Sequence, residues 1–467
     1  MAEGPDQEAA RTAGRLTIDA LADQVARGAV DTVVVAMVDL QGRLVGKRVT
    51  GTFFVDSVAR EGMHACSYLW GMDVDNTPLP GFALTSWSTG YQDFHAVPDL
   101  GTLRRVPWLP ATAVVLCDLE TTDGEPVEEY PRQVLRRQVE KLAARGMQAK
   151  MASELEFYTF QDSYQQAAAQ GYRGLHPTGH YIEDYHILQG SKVEGLLGAI
   201  RNGMDAAGIP VESSKGEWGH GQGEINLRYA DPIEMADRHV LYKNGAKEIA
   251  IAQGMSLTFM AKWTAEQAGS SCHVHTSLWA GDGDRALFHD PQAAAPGMSA
   301  LCQQFLAGQL QLSRELSVFT APGVNSYKRY REGSFAPVRL VWGYDNRTCG
   351  LRVVGHGASL RIEARHPGAD VNPYLALASI LAAGRYGIER GLALPPMFSG
   401  DAYAGAEQTR VPHNLEEAID LLEGSAAARE LLGAQVVEHY LHLARMEQEA
   451  FDATVTDWER QRNFERI

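Results

Sequence analysis

Two glutamates stand one residue apart in Ser153-Glu154-Leu155-Glu156-Phe157, inside an otherwise apolar stretch. Further along come Gly216-Glu217-Trp218-Gly219-His220-Gly221-Gln222-Gly223-Glu224, then Cys272-His273-Val274-His275, then Arg361-Ile362-Glu363-Ala364-Arg365. Apolar strands do not bury carboxylates without compensating charge. Side chains at i and i+2 of a strand point the same way. Glu154 and Glu156 would therefore share a face, as would His273 with His275, and Arg361 with Glu363 and Arg365. Glu217 and Glu224 flank a glycine-rich segment that can fold tightly. Taken singly, each cluster reads as a solvated edge strand or a surface ion-pair ladder. Taken together, five carboxylates and one or two histidines suit two hard divalent ions, Mg²⁺ or Mn²⁺, better than one zinc.

Arginines add a second theme. Tyr327-Lys328-Arg329 is followed by Asn346-Arg347, Arg352, Arg361 and Arg365. Guanidinium forks grip phosphate and carboxylate oxygens bidentately. Metal ions facing arginines, with no cysteine nucleophile, is the layout of phosphoryl transfer. The chain has no GxxxxGK[ST] loop, and its Gly219-x-Gly221-x-Gly223 run lacks dinucleotide-fingerprint spacing. ATP, if used, binds outside those two folds.

The elements that position these residues mix strands and helices without regular βαβ alternation. Thr32 to Leu40 and Leu44 to Val49 read as a hairpin around Gln41-Gly42, and Ala113 to Leu119 as another strand. Residues 70–110 are rich in Gly, Pro and aromatics and read as loops and short strands. Helices are expected over Leu16 to Ala26, Pro131 to Arg145, Val193 to Ala207, Ala236 to Gly254, Asn372 to Arg390 and Leu415 to Arg445, with the four polar clusters on strands. The class is α+β: a disordered lead over 1–15, a small β-rich domain over 16–122 and a catalytic domain over 123–467.

Bulk properties narrow the function. The 467 residues carry a net charge of −16, which excludes nucleic acid as a partner. Five cysteines without a CxxC pair fit a reducing cytoplasm rather than a disulfide framework. The N-terminus lacks an apolar signal core, and no apolar run approaches the roughly 20 residues of a bilayer span.

The motifs Glu154-x-Glu156-Phe157, Gly221-Gln222-Gly223-Glu224-Ile225-Asn226, His273-Val274-His275, Asn325-Ser326-Tyr327-Lys328-Arg329, Asn346-Arg347, Arg361-Ile362-Glu363-x-Arg365 and Asn372-Pro373-Tyr374-Leu375 occur in the order of the glutamine synthetase family. The chain resembles that family from about residue 16 to its C-terminus. The resemblance implies an N-terminal β-grasp domain and a C-terminal catalytic domain with an antiparallel sheet. It implies a homo-oligomer, commonly a dodecamer of two hexameric rings, with active sites between neighbours. It implies ATP, two or three Mg²⁺ or Mn²⁺ ions per site, and glutamate as substrate. Glu156, Glu217 and Glu224 match the ligands of the ion on the glutamate side. Glu154, His273 and Glu363 match those of the ion on the ATP side. His275, Arg347 and Arg352 match phosphate-binding positions, and Ser277 and Lys262-Trp263 lie near the nucleotide. Gly269, Arg329 and Arg365 match positions at glutamate and the transferred phosphoryl group.

Departures from the family point to the acceptor. Glutamine synthetases proper carry a flap glutamate before an Ala-Pro, six residues after the arginine of Asn-Ser-Tyr-Lys-Arg. Here that count from Arg329 reaches Phe335, followed by Ala336-Pro337. An aromatic ring can neither hold ammonium by charge nor accept a proton. The family's Phe-Asp-Gly-Ser-Ser segment is replaced by Ser67-Tyr68-Leu69-Trp70-Gly71-Met72-Asp73-Val74-Asp75, although Asp93 resembles the next aspartate in the pattern. Ala268 stands where an asparagine is usual near glutamate. The pattern is similar to γ-glutamyl-amine synthetases that act on ethanolamine or polyamines. The acidic surface favours a polycation; Trp70 and Phe335 favour a small pocket. The alternatives are a glutamine synthetase using ammonium, a two-metal hydrolase without ATP, and a non-catalytic binding protein. Tyr403 reads as a loop tyrosine.

Overall fold

The computed structural model describes residues 14–467, except residue 295. The expected lead falls mostly outside the described residues; Arg15, inside them, already bridges Arg104.

Five strands form the N-terminal sheet: β1 (Thr32–Val38), β2 (Leu44–Thr50), β3 (Met63–Cys66), β4 (Asp93–Arg105) and β5 (Thr112–Glu120), in the order β2-β1-β5-β4-β3. The pair β1–β5 is parallel and the other pairs are antiparallel. This is the β-grasp layer. The 13-residue β4 runs through a stretch expected to be loops. It carries Pro98, and its pairing with β5 shifts register between Asp99 and Arg104, so the strand survives by bulging around its irregular residues. Trp70, expected near a substrate, is instead fully buried under this sheet. Its indole donates to the Val38 carbonyl at 3.1 Å and its ring sits edge-on to Tyr130.

The second sheet has eight strands: β6 (Met147–Phe160), β7 (Val211–Gly216), β8 (Gln222–Leu227), β9 (Ser256–Thr258), β10 (Cys272–Ala280), β11 (Trp342–Tyr344), β12 (Leu351–Val354) and β13 (Arg361–Ala364). Its order is β11-β12-β13-β10-β6-β8-β7, with β9 on β6. All pairs are antiparallel except β11–β12. Behind it pack three helices that start on proline at the first turn: Pro131–Ala143, Pro232–Ala252 and Pro373–Arg390. Asp231 and Asn372 cap the latter two through their side chains.

An ion cluster around a buried arginine ties the N-terminal sheet to the helices behind the second sheet. Arg132, 1 % exposed, reaches Asp237 at 3.0 Å, Asp99 at 2.6 Å and Asp118 at 2.5 Å. Tyr374 donates to Asp237 at 2.6 Å. Asn372 adds hydrogen bonds to the Asp39 and Leu40 carbonyls. The single helix expected over Leu415 to Arg445 is three: Leu415–Glu423, Ala426–Leu432 and Ala434–Asp452. Ser425 caps the second, and Gly433, at φ 98°, breaks before the third.

Candidate active site

Strand register delivers the polar clusters to one place. In the paired strands His273 lies opposite Glu154, Glu224 opposite Glu156, and Glu363 opposite both His275 and Arg352. The even spacing within each cluster then puts the side chains on one face of the sheet. Glu217 is not on a strand; it follows β7 in the turn before β8, and its carbonyl accepts from Glu183 N–H at 3.2 Å. A cavity of about 610 Å³ opens over this face. Glu154, Glu156, Glu217, Glu224, His273, Glu363, Arg347, Arg352, Arg365, Gly269 and Phe335 all line it.

Three sets of side chains lie close enough to hold a cation: Glu156 with Glu217 and Glu224, Glu154 with Glu224 and His273, and Glu154 with His275 and Glu363. Their electrostatics suit one. Burial and the neighbouring Glu217 carboxylate push the Glu156 carboxyl up to about 8. Burial and the surrounding carboxylates hold Glu224 well above the usual range, and burial raises Glu217 despite Lys215. Like charges this close cannot all ionise without a compensating cation. Burial also lowers His273 to about 4, so its ring stays neutral and able to ligate. His273 Nδ1 faces Glu154 at 3.5 Å and Glu363 at 3.7 Å, while its buried Nε2 has no hydrogen-bond partner. These residues fit divalent ions by donor type, by crowding and by the Nδ1 that His273 turns toward the carboxylates.

The opposite flank is cationic. Arg352 donates to Glu363 at 2.8 Å and pairs with Asp345, and Arg365 also pairs with Glu363. Burial alone would raise the Glu363 carboxyl, but Arg365 and the two histidines outweigh it and hold it at about 2. Burial likewise opposes ionisation of Glu154, yet hydrogen bonds with His273 and His275 keep it low. Arg361 Nε donates to His275 Nδ1 at 3.1 Å, so the His275 Nε2–H donates to Glu154 at 2.9 Å. Arg329 lies buried behind the cavity, donating to Ser271 Oγ at 3.0 Å and to the His366 carbonyl. Gly269 allows its passage, because a Cβ there would collide with the Arg329 side chain.

Three expected residues stand apart from this cavity. The Lys262 ammonium is turned to the Gln267 carbonyl, while its backbone pairs with Asn325. Ser277 shares the face of His273 and His275 but accepts from the Trp279 indole at 2.9 Å. Asp93 opens β4, exposed, in the other sheet.

The cavity mouth holds Phe335, the flap residue expected from the sequence, with neighbours to which the sequence assigned no role. Phe335 packs against Trp218 with ring centroids 5.9 Å apart. Lys215 is bound to Glu217 at 2.6 Å and Asp184 at 2.8 Å, with its ammonium 4.1 Å from the Tyr185 ring centre. Tyr403 donates to the Ala336 carbonyl at 3.1 Å, bracing the segment that carries Phe335. Of the residues around Phe335, only Trp218, inside the glycine-rich motif, lay in a segment that the sequence marked for chemistry.

The glutamine synthetase catalytic-domain model matches residues 128–463. The chain belongs to the glutamine synthetase family. It is 51 % identical to the gamma-glutamylethanolamide synthetase of Streptomyces coelicolor, over 97 % of this chain and 96 % of that one. It is 38 % identical to the glutamate–isopropylamine ligase of a Pseudomonas species, over 94 % and 95 %. Its fold matches the solved complex of GmaS with ADP at a TM-score of 0.83 and 27 % identity, covering 95 % of this chain and 99 % of that one. The α+β class, with β-grasp and catalytic layers, is that of the family, and the chain is a carbon–nitrogen ligase of the glutamine synthetase type. Enzymes of this family work with ATP and a divalent metal. No helix among the described residues is long and apolar enough to cross a membrane.

Proposed function

We propose that the enzyme activates the γ-carboxylate of glutamate with ATP and transfers the γ-glutamyl group to a short primary amine, ethanolamine foremost. A carboxylate oxygen is a poor leaving group. Phosphoryl transfer from ATP makes γ-glutamyl phosphate, whose phosphate leaves when the amine attacks the carbonyl carbon. Divalent ions, Mg²⁺ or Mn²⁺, would supply charge neutralisation at the transferring phosphoryl group. In this reading Glu156, Glu217 and Glu224 hold the ion on the glutamate side, and Glu154, His273 and Glu363 the ion on the ATP side. The Nδ1 of His273, turned toward Glu154 and Glu363, favours it as the ligand, because both nitrogens of His275 are engaged, one with Glu154 and one with Arg361. Arg347 and Arg352 face the ATP phosphates, Arg365 the transferred group, and Arg329 anchors the glutamate end of the site.

The acceptor is carried by one observation: at the flap, an aromatic ring, Phe335, packs on Trp218 over the cavity mouth. Such a wall buries an alkyl stem and gives ammonium nothing to bind. The relatives named for ethanolamide and isopropylamine products support an organic amine. Asp93, exposed and outside its own chain's cavity, keeps the catalytic place that the family pattern gives it only if it reaches the site of a neighbouring subunit. A ring-stacked dodecamer, a cytoplasmic setting and the domain division near residue 122 belong to the same proposal. The test is ADP release with glutamate, ATP and Mg²⁺ across ammonium, ethanolamine, putrescine and spermidine. Ethanolamine should lead; turnover with ammonium alone would make the enzyme a glutamine synthetase.

A further inference from the structure

Two aromatic residues at the cavity mouth hold a backbone conformation that side chains avoid. Tyr185 and Phe335 both have φ 57°, on separate loops that line the same cavity. Such a conformation costs on the order of 1–3 kcal/mol for a non-glycine residue and persists where the surroundings impose it. Both rings remain partly open, Tyr185 69 % and Phe335 49 % exposed, and Trp218, packed against Phe335, is 50 % exposed. A rim of three half-exposed rings around a polar cavity is a built entrance for something with an apolar stem.

Lys215 sits on the cavity wall inside that entrance. Its ammonium lies between Asp184 and Glu217 and beneath the Tyr185 ring. Among the described residues lining the cavity, six are carboxylates: Glu154, Glu156, Asp184, Glu217, Glu224 and Glu363. Five of these fall in the cation-binding sets. Asp184 is the one left over, and Lys215 already holds it. We propose that Lys215 acts as a built-in counter-cation that closes Asp184 to a second ammonium, so that the enzyme accepts amines with neutral tails and rejects diamines and polyamines. The far ammonium of a diamine would meet a like charge, no uncommitted carboxylate, and an aromatic face already covered. A hydroxyl tail meets the opposite situation. An ammonium has three N–H donors, and Asp184 and Glu217 take two of them. The third can donate to the hydroxyl oxygen of an amino alcohol.

The inference rests on the amine-ligase reading above, and its test separates the two. kcat/KM is measured for near-isosteric pairs, aminopropanol against diaminopropane and aminobutanol against putrescine, with ammonium alongside. The wild type should favour each amino alcohol by at least about tenfold, a difference well within what like-charge juxtaposition supplies. Lys215→Met should move the ratio toward the diamine by about tenfold or more, because Asp184 is released. Asp184→Asn combined with Lys215→Met should lose that gain, and Lys215→Arg should keep the wild-type ratio. Equal wild-type use of both members of a pair overturns the proposal. So does an unchanged ratio in Lys215→Met. Should Lys215→Met be inactive with every acceptor, the wild-type ratio decides alone. Failure of every organic amine relative to ammonium would sink the amine-ligase reading instead.

Discussion

Replacing Phe335 by glutamate should turn the acceptor preference toward ammonium. The new side chain also has a Cβ, so the φ of 57° adds no strain that phenylalanine did not already bear. Two effects add. A buried methylene is worth about 0.8 kcal/mol, and a half-exposed ring covers one side of the two methylenes of ethanolamine, so losing it costs about 0.8 kcal/mol in all. A carboxylate at the flap can accept a charge-assisted hydrogen bond from ammonium, worth roughly 1.5–3 kcal/mol. Together they shift relative transition-state binding by about 2–4 kcal/mol, or between about 30-fold and 700-fold in the ratio of kcat/KM for ammonium to that for ethanolamine. Steady-state ADP release with each acceptor at saturating glutamate and ATP reads the ratio directly. Phe335→Ala separates the effects: ethanolamine use should fall about fourfold with no gain for ammonium. A ratio in Phe335→Glu within about threefold of the wild type would mean that the ring does not face the acceptor.

Other outcomes follow from the same geometry. Arg132→Met should destabilise the fold by about 3–5 kcal/mol, read by urea unfolding, because it leaves the buried Asp237 carboxylate without its counter-ion. Glu156, raised to about 8 when folded against 4.5 unfolded, binds a proton more tightly in the native state. Its contribution to stability is therefore present below pH 4.5 and lost as pH rises toward 8; Glu217 and Glu224 shift in the same direction. Bound cations reverse that loss, so the difference in Tm between protein with Mg²⁺ and protein with EDTA should widen steadily from pH 5 to 8. Tyr403→Phe removes the bond to Ala336 that braces the flap, and should raise KM for the amine severalfold while leaving the EDTA-sensitive Tm shift intact.

The chemistry of the site was legible because it is written in strand periodicity. Glu154 and Glu156, His273 and His275, and Glu363 and Arg365 each keep the even spacing that puts them on one face, and antiparallel register did the rest. Glu217 was found by its glycine-rich neighbours although it lies in a turn. The mouth was not legible beyond Phe335. Lys215, Asp184 and Tyr185 meet only through the path of irregular loops, which no periodicity encodes. Trp70 misled for a related reason: a tryptophan in a divergent motif looks like a substrate contact, yet its ring fills the N-terminal core. Residues 93–105 looked like loop because Pro98 and Gly101 are strand-unfavourable, and only a bulged partner strand accommodates them. The break at Gly433 was a one-residue signal inside a strongly helical pattern, and the pattern outweighed it.

The activation of glutamate is tested most directly by following its carboxylate oxygen. Glutamate carrying heavy oxygen in both γ-carboxylate positions is turned over with ATP, Mg²⁺ and ethanolamine, and the released inorganic phosphate is weighed by mass spectrometry. Passage through γ-glutamyl phosphate should leave one heavy oxygen in each phosphate, with one phosphate formed per γ-glutamyl amide. Phosphate without label, or phosphate released at the same rate when no amine is present, would contradict it.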